Sequence, residues 1–213
     1  MSLVEYRRKR QFGKTREPEP GQAPPEGQRP IFVVQLHHAS RRHYDFRLQV
    51  GDALKSWAVP KGPSYDPTVK RMAVEVEDHP LDYADFEGDI PKGEYGGGHV
   101  AQFDHGVWST ALDVEAQLAK GHLRFELFGE KLKGEWHLVR SGGSSARQAQ
   151  WLLFKEKDAY AGTLEADDLL ADVAPPPAAD AKRAGTGKLR KKQQVTVAPK
   201  PRKRRVDWTK RAA

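Results

Sequence analysis

From Ile31 onward the chain consists of short apolar runs separated by turn residues. Residues 31–37 and 43–50 have the length and β-branched or aromatic content of strands, and 55–60 follows with Trp57 and Val59 as its apolar points. Residues 71–79 alternate cleanly, with Met72, Val74 and Val76 set against Arg71, Glu75, Glu77 and His79. Segments 99–108, 121–128, 135–140 and 151–155 continue the series. Gly51-Asp52, Pro60-Lys61-Gly62-Pro63, Pro91-Lys92-Gly93 and Gly96-Gly97-Gly98 mark the connections. Evenly spaced short strands with little helical periodicity predict a mainly β fold, a small closed or partly closed β-barrel with one or two short helices. The helix expected in its body runs over 109–119, with Ser109 as N-cap and Gly121 just past the end.

The flanks read differently. Residues 17–30 carry five prolines with glycines between them, so 1–30 is expected to be an irregular N-terminal arm. It opens with a basic block, Tyr6-Arg7-Arg8-Lys9-Arg10. Residues 161–171 suit a short acidic helix. The alanine-, proline- and lysine-rich remainder, from about 173, is expected to be disordered because it has too little apolar surface to offset chain entropy. The organisation expected is an arm over 1–30, a barrel domain over 31–160, and a linker with a basic tail over 161–213. Trp208 is the one large aromatic of that tail.

The 213 residues carry a formal charge of +7, and that charge is unevenly placed. Residues 181–213 hold thirteen Lys and Arg against one acid, a net +12, which leaves −5 for residues 1–180. The tail therefore seeks polyanions, whereas the body must bind any nucleic acid through a local cluster. With no cysteine, any metal would be held by His, Asp, Glu or backbone oxygen. No membrane-length apolar run and no secretory signal is visible, so the expectation is a soluble cytoplasmic, nucleoid-associated protein.

Candidate chemistry gathers in Arg42-His43-Tyr44-Asp45-Phe46-Arg47-Leu48. On a strand, His43, Asp45 and Arg47 share one face, and His43 and Asp45 lie about 6–7 Å apart along it. Imidazole with carboxylate suits a divalent cation, and guanidinium beside them suits phosphate. Such a pair alone also fits an ordinary solvated strand, but Arg47 and nearby His37 strengthen the metal reading. His37 shares alternation with Val33 and Gln35, which favours it over His38 as the further ligand. His79, fixed before Pro80, with Tyr83 beyond it and Lys61 in a rigid turn, are further candidates. His99, His105, His122 and His137 are read as ordinary strand histidines, and the segment 93–98 as a hairpin loop rather than a phosphate loop.

Together these motifs are similar to the 3′-phosphoesterase domain of bacterial DNA ligase D, which also occurs as a free-standing protein. They are Phe32-Val33-Val34-Gln35-Leu36-His37, 42–48, 54–63, Val76-Glu77-Asp78-His79-Pro80-Leu81-Asp82-Tyr83, Phe86-Glu87-Gly88 and Trp151-Leu152-Leu153-Phe154-Lys155. The resemblance implies a small β-barrel and a manganese-dependent enzyme of non-homologous end joining. That enzyme removes a 3′-terminal ribonucleoside and then the 3′-phosphate from DNA ends. It implies His37, His43 and Asp45 as metal ligands. Arg47 and His79 would hold the scissile phosphate, with Tyr83, Lys61 and Arg71 around it and Gln35 and Glu77 in support. Arg10 and Glu17 match functional positions of the arm. The implied partners are primer-template or double-strand-break DNA ends and a separate ligase, polymerase/primase and Ku, with the protein itself a monomer. The chain departs from the family at Gln11, where an acidic residue is common, and at Leu36, where lysine is frequent.

The residues alone leave two other classes open. His-x-Asp with a distant His is also the pattern of 2-His-1-carboxylate iron oxygenases, separable by oxygen consumption with 2-oxoglutarate. A non-catalytic nucleic-acid-binding protein would depend on the basic tail and lose function with it.

Overall fold

The computed structural model describes residues 3–21, 27–142 and 148–176. The described residues form nine strands: β1 (Ile31–His38), β2 (Arg42–Val50), β3 (Ala53–Val59), β4 (Arg71–Pro80), β5 (Gly88–Ile90), β6 (Gly98–Ser109), β7 (His122–Gly129), β8 (Lys133–Arg140) and β9 (Gln150–Lys155). The order β1-β2-β3-β4-β9-β8-β7-β6 is closed by antiparallel pairing of β6 with β1, giving the expected barrel with eight strands. Short β5 hangs on the outer end of β6. Closure removes the exposed strand edges that an open sheet would present.

Alternation places the apolar set inside. Tyr44, Phe46 and Leu48 of β2 join Phe32, Val34, Trp57, Phe125, Trp136 and Trp151 in the barrel core. The other face of β1 and β2 points outward, yet Val33, Gln35, His37, Asp45 and Arg47 are buried. They are covered by a second layer: the arm, a 3₁₀ turn at Leu81–Asp85, and β5. Tyr6, Leu54, Tyr83, Phe86, Ile90 and Val100 form a separate apolar cluster in that layer. The site thus lies between the barrel wall and its covering, outside the barrel interior.

Three local features differ from the sequence reading. The arm contains a short helix, α1 (Val4–Arg8), because Tyr6 has a buried apolar place to dock. The body helix α2 is Val114–Lys120, with Asp113 rather than Ser109 as N-cap; its carboxylate accepts the Ala116 N–H. Ser109 is instead the last residue of β6. Gly121 closes α2 at φ 76°, as placed from sequence. The acidic segment reduces to a 3₁₀ turn, Ala166–Leu169, whose Ala166 packs into the barrel core. The tail beyond 176, including Trp208, lies outside the described residues. No helix among the described residues is long and apolar enough to cross a membrane.

Candidate metal and phosphate site

β1 and β2 pair directly, with His37 opposite His43 and Gln35 opposite Asp45. The two imidazoles therefore meet, their ring centroids 4.8 Å apart. His37 Nδ1 and His43 Nε2 each lie 3.5 Å from an Asp45 oxygen. Their remaining nitrogens are committed: His37 Nε2–H donates to the Gly96 carbonyl at 2.8 Å, and His43 Nδ1–H donates to the Arg41 carbonyl at 2.9 Å. Fixing one ring N–H on a backbone oxygen turns the other nitrogen's lone pair toward a common point. One donor atom from each of His37, His43 and Asp45 lies within 4.8 Å of the others. Two oriented ring nitrogens and one carboxylate oxygen fit a divalent first-row cation.

Arg47 continues the outward face of β2 and is buried beside them. Its Nη2 lies 3.1 Å from Asp45 Oδ2, Nε donates to Gln35 Oε1 at 3.0 Å, and Nη1 donates to Ser56 Oγ at 2.8 Å. The guanidinium also stacks 4.8 Å from the Tyr83 ring. Burial on its own would raise the Asp45 pKa, but Arg47, His37 and His43 outweigh it and hold the carboxyl well below its ordinary range. His43 shows the complementary effect: burial disfavours its cation, but Asp45 and the Arg41 carbonyl raise its pKa overall.

His79 enters from β4 through a change of register. β3 and β4 pair Ala58 with Val74 and Ser56 with Val76, then Leu54 with His79, so β4 carries an irregularity before His79. That shift reverses the alternation. Ala73, in step with Arg71 and Glu75, packs in the barrel core, whereas Glu77 and His79 reach the outer site. Sequence alternation placed Arg71, Glu75, Glu77 and His79 on one face; the irregularity divides them.

The arm completes the site. Arg10 is almost fully buried, paired with Glu17 Oε1 at 2.8 Å and Glu77 Oε1 at 3.0 Å, and its Nη2 donates to His79 Nε2 at 3.1 Å. It lies 3.9 Å above the Tyr6 ring. The Tyr83 hydroxyl donates to Glu17 at 3.1 Å. His79 Nδ1 lies 2.9 Å from the Glu77 carbonyl and 3.0 Å from Arg47 Nη1. Burial first, then Arg47 and Arg10, pushes the His79 pKa well below its ordinary value, so its ring is neutral. Burial likewise raises the Tyr83 hydroxyl pKa, which keeps it protonated.

His37, His43, Asp45, Arg47, Glu77, His79, Tyr83, Arg10 and Glu17 line one cavity of about 160 Å³. Gln35 stands behind it, donating to the Tyr83 and Phe86 carbonyls while holding Arg47. Lys61 and Arg71 lie outside that lining. Lys61 is exposed in the turn after β3, and Arg71 is drawn to Glu165. Gln11 is exposed, and its backbone carbonyl accepts the Lys14 N–H at 2.7 Å. Sequence reasoning missed Ser56, Tyr6 and the Gly96 carbonyl. Tyr6 had a signal, an aromatic residue inside a basic block; a backbone carbonyl has none.

Comparison with known proteins agrees with this geometry. Residues 35–140 match the model of the DNA Ligase D 3′-phosphoesterase domain. The chain is 54% identical over 172 residues to the multifunctional non-homologous end joining protein LigD of Pseudomonas aeruginosa, covering 80% of this chain and 20% of that one. Identity to the corresponding DNA repair protein of Mycobacterium tuberculosis is 42% over 156 residues, 73% of this chain and 20% of the relative. Against LigD of Mycolicibacterium smegmatis it is 40% over 162 residues. The chain thus spans about a fifth of the length of these curated relatives. With the barrel, the matched segment and this level of identity in agreement, the chain belongs to the DNA ligase D 3′-phosphoesterase domain family.

Proposed function

We propose that the chain is a metal-dependent DNA 3′-end-healing phosphoesterase acting in non-homologous end joining. It would remove a 3′-terminal ribonucleoside, then the 3′-phosphate, to leave a 3′-hydroxyl. One observation carries this reading: the facing lone pairs of His37 Nδ1 and His43 Nε2 at Asp45, with the buried Arg47 fork 3.1 Å away in the same cavity. A divalent cation held by His37, His43 and Asp45 would supply Lewis-acid polarisation of a phosphoryl oxygen. Manganese is the ion proposed, on the family resemblance.

The chain's own residues account for the rest. Arg47 brings its guanidinium charge to the equatorial phosphoryl oxygens and is pre-set by Gln35, Ser56 and Asp45, so little reorganisation accompanies reaction. His79 is neutral in the free protein; substrate phosphate brought beside Nε2 favours uptake of a proton there from solvent, which Nε2–H then donates to the leaving oxygen. Arg10, whose Nη2 is near that nitrogen, steadies the same oxygens. Tyr83 keeps its hydroxyl on Glu17 and its ring beneath Arg47, a supporting role. Glu77 holds the arm closed over the site through Lys9 and Arg10. Lys61, exposed in the turn after β3, would contact substrate phosphate outside the cavity, whereas Arg71 stays with Glu165. DNA ends carrying a 3′-ribonucleotide or 3′-phosphate are the proposed partners, with ligase, polymerase and Ku supplied separately or by further domains.

The test is a metal screen on primer-templates ending in a 3′-phosphate or a 3′-ribonucleotide, resolved on a gel. Conversion to a 3′-hydroxyl with manganese, lost on chelation, supports the reading. No conversion with any divalent ion, or conversion undiminished by His43→Ala, rejects it.

A further inference from the structure

Tyr95 lies in the hairpin between β5 and β6 and has no part in the proposed chemistry. Tyr95, Phe128 and Tyr160 are the large exposed aromatic rings among the described residues, and of these Tyr95 lines the cavity, with 45% of its surface exposed. It is held in place. The Lys9 ammonium sits 4.5 Å from the ring centroid and donates to the hydroxyl at 3.2 Å. The hydroxyl is 3.5 Å from Glu77 Oε2, and the next residue, Gly96, supplies the carbonyl that orients His37. An exposed ring is thus fixed on the rim between a metal ligand and the arm.

Size and charge indicate its occupant. Pockets that enclose a whole small molecule run to about 300–1,000 Å³. The site cavity, at about 160 Å³, suits a phosphoryl group and leaves its nucleosides outside. The two cations in contact with the Tyr95 ring are paired, Lys9 with Glu77 at 2.9 Å and Arg10 with Glu17 at 2.8 Å. The ring face itself therefore offers an aromatic surface rather than a free cation. On the other side, next to His43, Arg41 and Lys61 are exposed, and Val59 of the strand leading to Lys61 pairs with Tyr44. The polyanionic duplex belongs there. The departing 3′-terminal ribonucleoside is uncharged and presents a flat base, the group that stacks on an aromatic ring.

Resting on the 3′-end-healing reading, we propose that Tyr95 is the stacking platform for the departing ribonucleoside and so selects the diester over the monoester substrate. The experiment is steady-state kinetics with manganese on two primer-templates that differ only in a 3′-terminal ribonucleotide or a 3′-phosphate. Loss of one base–aromatic stack corresponds to about five- to 150-fold. Tyr95→Leu is therefore expected to lower the ratio of diester to monoester kcat/KM about tenfold, mainly through KM. Tyr95→Phe, which keeps the ring and loses the hydroxyl contacts, restores the ratio. An unchanged ratio in Tyr95→Leu, or a Phe variant as impaired as Leu, overturns the platform while leaving the end-healing reading intact. Wild-type protein inactive on both substrates removes that reading and the platform with it.

Discussion

Arg10 of the arm and His79 of β4 meet at 3.1 Å, guanidinium nitrogen to imidazole nitrogen, across 69 residues of sequence. A cation set against a basic ring is unfavourable unless the ring stays neutral, and two carboxylates, Glu17 and Glu77, hold Arg10 there. Replacing Arg10 with Met leaves both carboxylates buried without that partner, a loss on the order of 3–5 kcal/mol. The expected result is an undocked arm, cut readily by trypsin, with the barrel still folded. The His79 imidazole should then titrate closer to its ordinary value, measured by its ring proton shifts against pH. An unmoved His79 titration would contradict the account given of its neutral state.

Metal affinity should follow the donor set. Loss of an outer hydrogen-bond partner typically weakens a metal site about 10–100-fold, and loss of a ligand more. His43→Ala is expected to raise the manganese Kd by over about 100-fold, read by calorimetry or by the loss of metal-induced thermal stabilisation. Gln35→Ala supports Arg47 rather than the metal, so it should leave that Kd within a few-fold while reducing turnover. Equal losses of metal binding in the two variants would show that the ligand assignment is wrong.

These predictions also separate what the chain reveals locally from what only folding assembles. The faces of β1 and β2 were legible because strict alternation forces His43, Asp45 and Arg47 to one side and Tyr44, Phe46 and Leu48 to the other. A barrel, closed or partly closed, followed from the number and spacing of strands; the pairing of β1 with β6 closes it. The arrangement of β4 was not legible: one irregularity opposite Lys55 separates Arg71 and Glu75 from His79, and nothing in the local composition marks it. The arm's role was hidden for another reason. Arg10 is solvated in any local reading and becomes buried only through carboxylates 7 and 67 residues away. Lys61 and Arg71 are brought by the motif but not by the cavity: Lys61 is exposed in its turn, and Arg71 pairs with Glu165.

Acid should release the arm. Burial raises the Glu77 pKa, but hydrogen bonds from Lys9 and Arg10 outweigh it and the folded value lies below the unfolded one. A carboxyl depressed in this way stabilises docking fully above its unfolded pKa of about 4.3, and that contribution disappears as pH falls through the lower folded value. Arm protection is therefore expected to be flat above about pH 5 and to fall below about pH 4. Hydrogen exchange at the Arg7 and Lys14 amides, both bonded within the arm, reads it directly. Glu77→Gln should lower protection at neutral pH and flatten the acid step. A step unchanged in that variant assigns the acid sensitivity to another carboxyl.

The hairpin that orients His37 sets the last expectation. Gly98 has φ 153°, and a Cβ there would lie 2.4 Å from the His38 carbonyl oxygen, a backbone atom that cannot swing aside. Gly98→Ala must push the hairpin away from the end of β1, at a cost of about 1–3 kcal/mol for the backbone conformation alone. Because Gly96, two residues earlier, accepts the His37 Nε2–H, the displacement frees that imidazole to rotate or change tautomer. Gly51→Ala provides the comparison: its φ of 61° is also left-handed, but nothing lies within 4 Å of the added carbon. Both variants should lower the denaturant midpoint, while only Gly98→Ala should weaken manganese binding, by about 10–100-fold. Equal metal affinity in the two would mean that His37 holds its orientation without the hairpin.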